Sequence, residues 1–183
     1  MELVKPSRDR LPSYLDAVRR GWMGDRPLFG STEALLALAA LDQDRVLDCL
    51  SDRETNGELY FPDGSTAPRI PALFRWMWDE DGFAGNIDLR WQPGTDVLPD
   101  YVPGHVGYGT VGWKQGHGYA TKALSQMLPL AKLEGLNFVE LVTSDDNHAS
   151  VRVIEKNAGV LAERFRQVPL LGGGDALRWH ILL

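Results

Sequence analysis

One cysteine, Cys49, is all that the 183 residues contain. No internal disulfide can form, and a lone thiol with four dispersed histidines gives no metal-ligand spacing, so no metal is expected. Cys49 lies in the run Val46-Leu47-Asp48-Cys49-Leu50, which suits a buried structural thiol better than a nucleophile. Long apolar runs are missing too, so no membrane span is expected. Residues Met1 to Arg10 are polar and mixed in charge, without the apolar centre of a signal peptide, and a reducing cytoplasm is the expected location. Positive charge is also short. Nineteen Lys and Arg against twenty-five Asp and Glu leave a net charge of -6, which argues against a nucleic-acid partner. That charge favours a cationic amine, although mild acidity also serves solubility. No repeat, low-complexity tract or internal boundary divides the chain, and residues 1–183 are expected to form one domain.

The apolar pattern changes along the chain. A short strand is expected at Glu2 to Lys5 and a helix from Leu11 to Met23, on the spacing of Leu15, Val18 and Trp22. Ser31 or Thr32 can cap a second helix whose apolar surface runs from Leu35 to Leu50. Asp52 to Pro68 is polar, with a tight turn at Pro62-Asp63-Gly64. Strands follow at Ala72 to Trp78, Phe83 to Trp91 and Gly104 to Val111, the first two joined by a hairpin at Asp79-Glu80-Asp81-Gly82. A helix is expected from Tyr119 to Glu134 with Pro129 inside it, then a strand buried on both faces from Leu136 to Thr143. Ser150 to Ala158 reads as a short helix with Gly159 as its C-cap. Arg164 to Leu171 and Ala176 to Leu183 flank a hairpin candidate at Gly172-Gly173-Gly174-Asp175. This order predicts an α/β (α+β) fold: a mixed central sheet of about six or seven strands flanked by helices.

Two segments carry chemistry. Gln115-Gly116-His117-Gly118-Tyr119-Ala120 stands between a strand and a helix. N–H groups at a helix N-terminus lack intrahelical partners, and the helix dipole adds partial positive charge there. Gly116 and Gly118 let a pyrophosphate approach the main chain, and Lys114 and Lys122 are nearby cations. Taken alone, the glycine spacing is explained better by an ordinary strand-to-helix turn. The second segment is Asn147-His148-Ala149-Ser150-Val151-Arg152-Val153-Ile154-Glu155-Lys156-Asn157-Ala158-Gly159.

Together these segments resemble the GCN5-related N-acetyltransferases (GNAT), which move acetyl from acetyl-CoA to an amine. Gln115, Gly118 and Ala120 match the family's loop Gln/Arg-x-x-Gly-x-Gly/Ala. Asn147, Ser150, Val153, Glu155, Lys156 and Gly159 fit its second segment, and the likeness is clearest from Gly104 to Gly159. Gly104-His105-Val106-Gly107-Tyr108 and the preceding Asp88-Leu89-Arg90 look most like a bacterial branch of predicted acetyltransferases. The resemblance implies acetyl-CoA as co-substrate, held by Gln115, Gly116, His117, Gly118, Tyr119, Ala120 and Asn147. It implies a sheet that splays where acetyl-CoA inserts. Many relatives carry a proton-donating Tyr where this chain has Ile154, so Ser150 becomes the nearest residue to that role.

His105 is the side chain nominated as base for the incoming ammonium, with Asp88, Glu80, Asp146 and a chain of waters as rivals. Of six tryptophans, Trp76, Trp78, Trp91 and Trp113 cluster around the middle strands, where core packing explains most of them. The expected reaction is direct attack of a primary amine on the thioester, with a small-molecule acceptor. A protein N-terminal acetyltransferase and a non-catalytic acyl-CoA sensor or regulatory module stay open, as does a homodimer.

Overall fold

The computed structural model describes residues 1–24, 26–171 and 173–183. Nine strands and six helices follow in the order β1 (Glu2–Val4), α1 (Leu11–Arg19), α2 (Arg26–Phe29), α3 (Thr32–Leu41), α4 (Gln43–Cys49), β2 (Glu58–Tyr60), β3 (Thr66–Pro68), β4 (Ala72–Asp79), β5 (Gly82–Arg90), β6 (Val106–Thr110), α5 (Tyr119–Leu133), β7 (Phe138–Ser144), α6 (His148–Glu155), β8 (Val160–Arg166) and β9 (Asp175–Leu182). No helix among the described residues is long and apolar enough to cross a membrane.

The strands form two antiparallel sheets and a separate hairpin. One sheet has the order β1-β4-β5-β6, the other β7-β9-β8, and β2 pairs only with β3. Among the described residues the only bridge between β6 and β7 joins Gly104 to Leu141, beside a bond from the His105 N–H to the Glu140 carbonyl at 2.7 Å. Past that joint the strands part, so each leaves one backbone edge without a partner strand. The expected layer of about six or seven strands is present with seven, split into four and three.

Helices pack on both faces of the four-stranded sheet because its strands alternate two apolar sets. Phe74, Trp76 and Phe83 meet α1, α3 and α4 on one face, with Tyr14 stacked on Trp76 at 4.8 Å between ring centroids. Met77, Ile87 and Leu89 meet α5 and α6 on the other, where Ala123, Leu124, Met127 and Ala131 form the fully buried stripe of α5.

Local chemistry explains where the elements depart from expectation. The apolar stretch after Ser31 is two helices, because Asp42 adopts an extended backbone (φ -154°) and its carboxylate accepts the Arg45 N–H at 3.0 Å, capping a new helix. α1 stops at Arg19, and Gly21 follows with φ 98°. Strand β7 is buried on one face only. Val139, Leu141 and Thr143 point inward, while Glu140 pairs with Arg178 at 3.2 Å on the other side. Ala158, not Gly159, takes the left-handed backbone after α6, with φ 62°. Gly159 is needed for contact instead, since a Cβ there would stand 2.9 Å from the Ile154 carbonyl oxygen. Strand β8 begins at Val160, where five successive exposed residues hide any alternation. The expected turn at 172–175 includes Gly172, which lies outside the described residues.

Candidate functional site

The gap between β6 and β7 opens into a cavity of about 670 Å³. Asn86, Asp88 and Arg90 of β5 line it, with Gly107 and Tyr108 of β6 behind them. Asn147 and Ser150, at the start of α6, line the other side. Tyr60 and Phe61 of the β2–β3 hairpin form an apolar wall. The cavity therefore touches residues of both sheet faces, because the missing strand pairing lets it pass through the layer. None of Trp76, Trp78, Trp91 and Trp113 lines it. Trp76 and Trp91 are core residues, and Trp113 carries the Arg20 guanidinium 3.7 Å from its ring centroid.

The glycine loop follows β6 after a single 3-10 turn at Gly112–Lys114 and stands outside the cavity. Gly118 is the N-cap of α5 with φ 74°, a left-handed backbone that glycine adopts without cost. The first intrahelical bond runs from the Lys122 N–H to the Gly118 carbonyl at 3.1 Å. The N–H groups of Gly118, Tyr119, Ala120 and Thr121 thus lie ahead of the helical ladder, and no side chain caps them. A Cβ built on Gly116 or Gly118 meets nothing within 4 Å, so there is open room for an anion against the main chain.

Side chains hold this loop in place. Lys114 forms a half-buried ion pair with Asp79 at 2.5 Å, and the Tyr119 hydroxyl donates to the other Asp79 oxygen at 3.0 Å. Burial pushes the Asp79 carboxyl up, but Lys114, Tyr119 and the Asp81 N–H outweigh it and hold it below the usual carboxylate range. Lys114 is thereby committed to Asp79, and Lys122 remains exposed. The His117 ring turns back on the loop, donating from Nδ1 to the Gln115 carbonyl at 2.9 Å. The Gln115 amide reaches the Thr110 carbonyl, at the end of β6, at 3.5 Å.

Asn147 caps α6 by accepting the Ser150 N–H at 3.1 Å. Across the gap the Tyr108 hydroxyl lies 3.4 Å from the Ser150 carbonyl oxygen, and burial raises that phenol above its ordinary value. Sequence reasoning gave Tyr108 no role. Its signal was strand alternation, which turns Tyr108 away from Gly107 and toward the side where α6 packs.

Asp88 stands over Gly107, its register partner in β6, and a Cβ on that glycine would be 3.0 Å from the Asp88 carboxylate. Burial raises the Asp88 carboxyl, and Arg90 pulls it back without cancelling the rise. Arg90 Nε is 3.0 Å from Asp88 Oδ2, within ion-pair distance, yet that N–H makes no aligned hydrogen bond.

His105 is elsewhere. It is 1 % exposed, does not line the cavity, and its Nδ1 accepts the Glu140 N–H at 2.9 Å. The side chain expected to aim along the strand toward an acceptor instead fastens β6 to β7. Burial first, then Arg90, lowers its pKa to about 4. The unfolded chain therefore takes up a proton near pH 6.5 that the native state refuses, so stability is lost as pH falls from 6.5 toward 4. The loss reaches about 3 kcal/mol at most, from the gap between 6.5 and about 4. Denaturant titrations across that range should show a steeper acid loss in the native protein than in His105→Asn. Equal slopes would mean that His105 titrates normally.

Among the described residues no group of three His, Cys, Asp or Glu is placed to hold a metal ion. The family model for an acetyltransferase (GNAT) domain matches residues 36–159. Solved structures with this fold include the microcin C7 self-immunity acetyltransferase MccE in complex with acetyl-CoA and AMP, at TM-score 0.63 and 11 % identity over 99 % of this chain and 91 % of that one. RimL, a ribosomal L7/L12 α-N-protein acetyltransferase in complex with coenzyme A, matches at TM-score 0.62 and 15 % identity, covering 99 % and 93 %. A mutant of spermidine N-acetyltransferase SpeG from Vibrio cholerae matches at 0.58 and 15 %, covering 100 % and 95 %. At these identities the likeness is one of fold. No curated protein sequence matches the chain.

Proposed function

Because the chain belongs to the GNAT acetyltransferases, we propose that it moves acetyl from acetyl-CoA to a primary amine, by direct attack on the thioester, in the gap between β6 and β7. The observation that carries this reading is the parted sheet. It joins a cavity bordered by carboxylate, phenol and hydroxyl groups to a strand that leads into an uncapped helix N-terminus. The acceptor is a small molecule in this reading, since the cavity has the volume of small-molecule sites, roughly 300–1,000 Å³.

When bound, acetyl-CoA would supply an acetyl group already activated as a thioester. The N–H groups from Gly116 to Ala120 would meet its pyrophosphate, and the unpaired edge of β6 would hydrogen-bond its amide-bearing arm. Asn147 orients the start of α6 beside that arm.

Asp88 is the base in this account. Its carboxylate lines the cavity, and burial moves its pKa toward the range useful near neutrality. His105 is set aside for this role, since its Nδ1 lone pair is already engaged and the ring lies outside the cavity. Tyr108 is the proton donor to the departing sulfur, with Ser150 beside it, because a phenol is a far better acid than an alcohol. The raised pKa of Tyr108 weakens it and limits its contribution to the low end of general-acid effects. Tyr108→Phe should lower kcat by about 10²-fold, and Ser150→Ala by less than about tenfold, both without comparable loss of acetyl-CoA affinity. Single-turnover rates beside calorimetric acetyl-CoA binding test this. Unchanged turnover in Tyr108→Phe would leave proton delivery to solvent.

A further inference from the structure

Among the described residues, four charged ones stand in the cavity wall: Arg69, Asp88, Arg90 and Asp175. Three are accounted for. Asp88 and Arg90 neutralise one another, and Asp175 is exposed at the start of β9. Arg69 is different. Its residue is 8 % exposed, and it forms no ion pair among the described residues. One guanidinium nitrogen, Nη2, donates to the Cys49 carbonyl at 2.9 Å, at the C-terminal end of α4. A helix C-terminus favours a cation, but only by a fraction of the cost of burying one. A guanidinium offers five donors in a planar fork, and only this one is seen to have a protein acceptor. Burial accordingly lowers the proton affinity of Arg69.

We infer that Arg69 is the binding site for an anionic group on the acceptor, so that the substrate is an amine whose far end carries a carboxylate or phosphate. This inference rests on the acetyl-transfer reading for its amine end. Arg69 lies just after β3, and Ile70, Tyr60 and Phe61 line the same cavity. Asp88 stands on β5, where the amine would react. The wall between the two is mostly apolar, which fits a hydrocarbon or aromatic spacer. The overall charge of -6 would steer a plain polyamine toward the protein, yet selection inside the cavity is decided by local charge, where screening is weak. A guanidinium with no ion-pair partner among the described residues, and with Glu54 acting on it only from a distance, disfavours a second ammonium group at that end.

The test compares matched acceptors with the full-length protein: ω-amino carboxylates of increasing chain length against their carboxamides, and aminoalkyl phosphates against the parent amino alcohols. One anionic series should show KM at least about tenfold below its neutral counterpart, since a charge-assisted bidentate contact is lost in the neutral form. The series that gains identifies the anion. Arg69→Met should erase the preference while keeping acetyl-CoA affinity, and Arg69→Lys should keep part of it. Binding is read separately, by the rise in melting temperature that each compound causes. Anionic amines that stabilise the native protein but not Arg69→Met, without any turnover, would support the anion site and defeat the transfer reading. Equal KM and equal stabilisation for acid and amide would overturn the inference, as would a preference that survives in Arg69→Met. If Arg69→Met does not fold, the wild-type pairs and Arg69→Lys still decide.

Discussion

Asp88→Asn is expected to lower kcat/KM for the amine by on the order of 10²- to 10³-fold near neutral pH, with acetyl-CoA affinity unchanged. The amine arrives mostly as an ammonium ion and must lose a proton before its lone pair can attack. Asparagine keeps the size of Asp88 but cannot take that proton. Burial raises the Asp88 carboxyl, so the native enzyme should lose activity as pH falls through a value above the usual carboxylate range. In Asp88→Asn that limb should vanish, and activity should rise with pH only as free amine accumulates. The mutation also leaves Arg90 without its carboxylate, so thermal stability must be measured beside the rate. A pH–rate profile that keeps its acid limb in Asp88→Asn would assign the base elsewhere, with a water chain as the next candidate.

Gly118→Asp should weaken acetyl-CoA binding by roughly 10- to 100-fold, because it sets a negative charge among the N–H groups meant for a pyrophosphate. The fold should survive. A Cβ at Gly118 meets nothing within 4 Å, and Asp is among the few residues that tolerate the left-handed backbone at φ 74°. Gly118→Asn separates the two effects, since it has nearly the same shape and no charge. Calorimetry should rank wild type above Asn and Asn well above Asp. Equal affinity across the three would mean that the loop binds no phosphate.

Much of this was legible in the sequence, because the signals were local. Turn residues announced the β4–β5 hairpin, and the stripe of Ala123, Leu124, Met127 and Ala131 announced α5. Glycines between a strand and a helix, and an asparagine just ahead of another helix, marked the starts of α5 and α6 from neighbours alone. What stayed hidden depends on contacts distant in sequence. His105 has the same spacing to Gly107 whether it faces an acceptor or clamps Glu140, and only the joint between the two sheets decides. Tyr108 meets Ser150 across a gap of 42 positions. Arg69 directly follows a segment that reads as turn-rich and polar, and no reading gave it a role. Its burial comes from the β2–β3 hairpin and the end of α4, which no pattern within that segment encodes. The break at Asp42 was missed for the opposite reason. The apolar spacing continues across it, while a single side-chain cap ends one helix and begins another.

The most direct test of acetyl transfer in the parted sheet is release of free CoA from acetyl-CoA in the presence of the amine panel, followed with a thiol reagent and checked by the mass of the product. The account predicts release that needs an amine, saturates with its concentration, yields amine heavier by one acetyl group, and falls in Asp88→Asn. Tight acetyl-CoA binding with no amine-dependent release of CoA would contradict it, and the chain would then be an acyl-CoA-binding module without turnover.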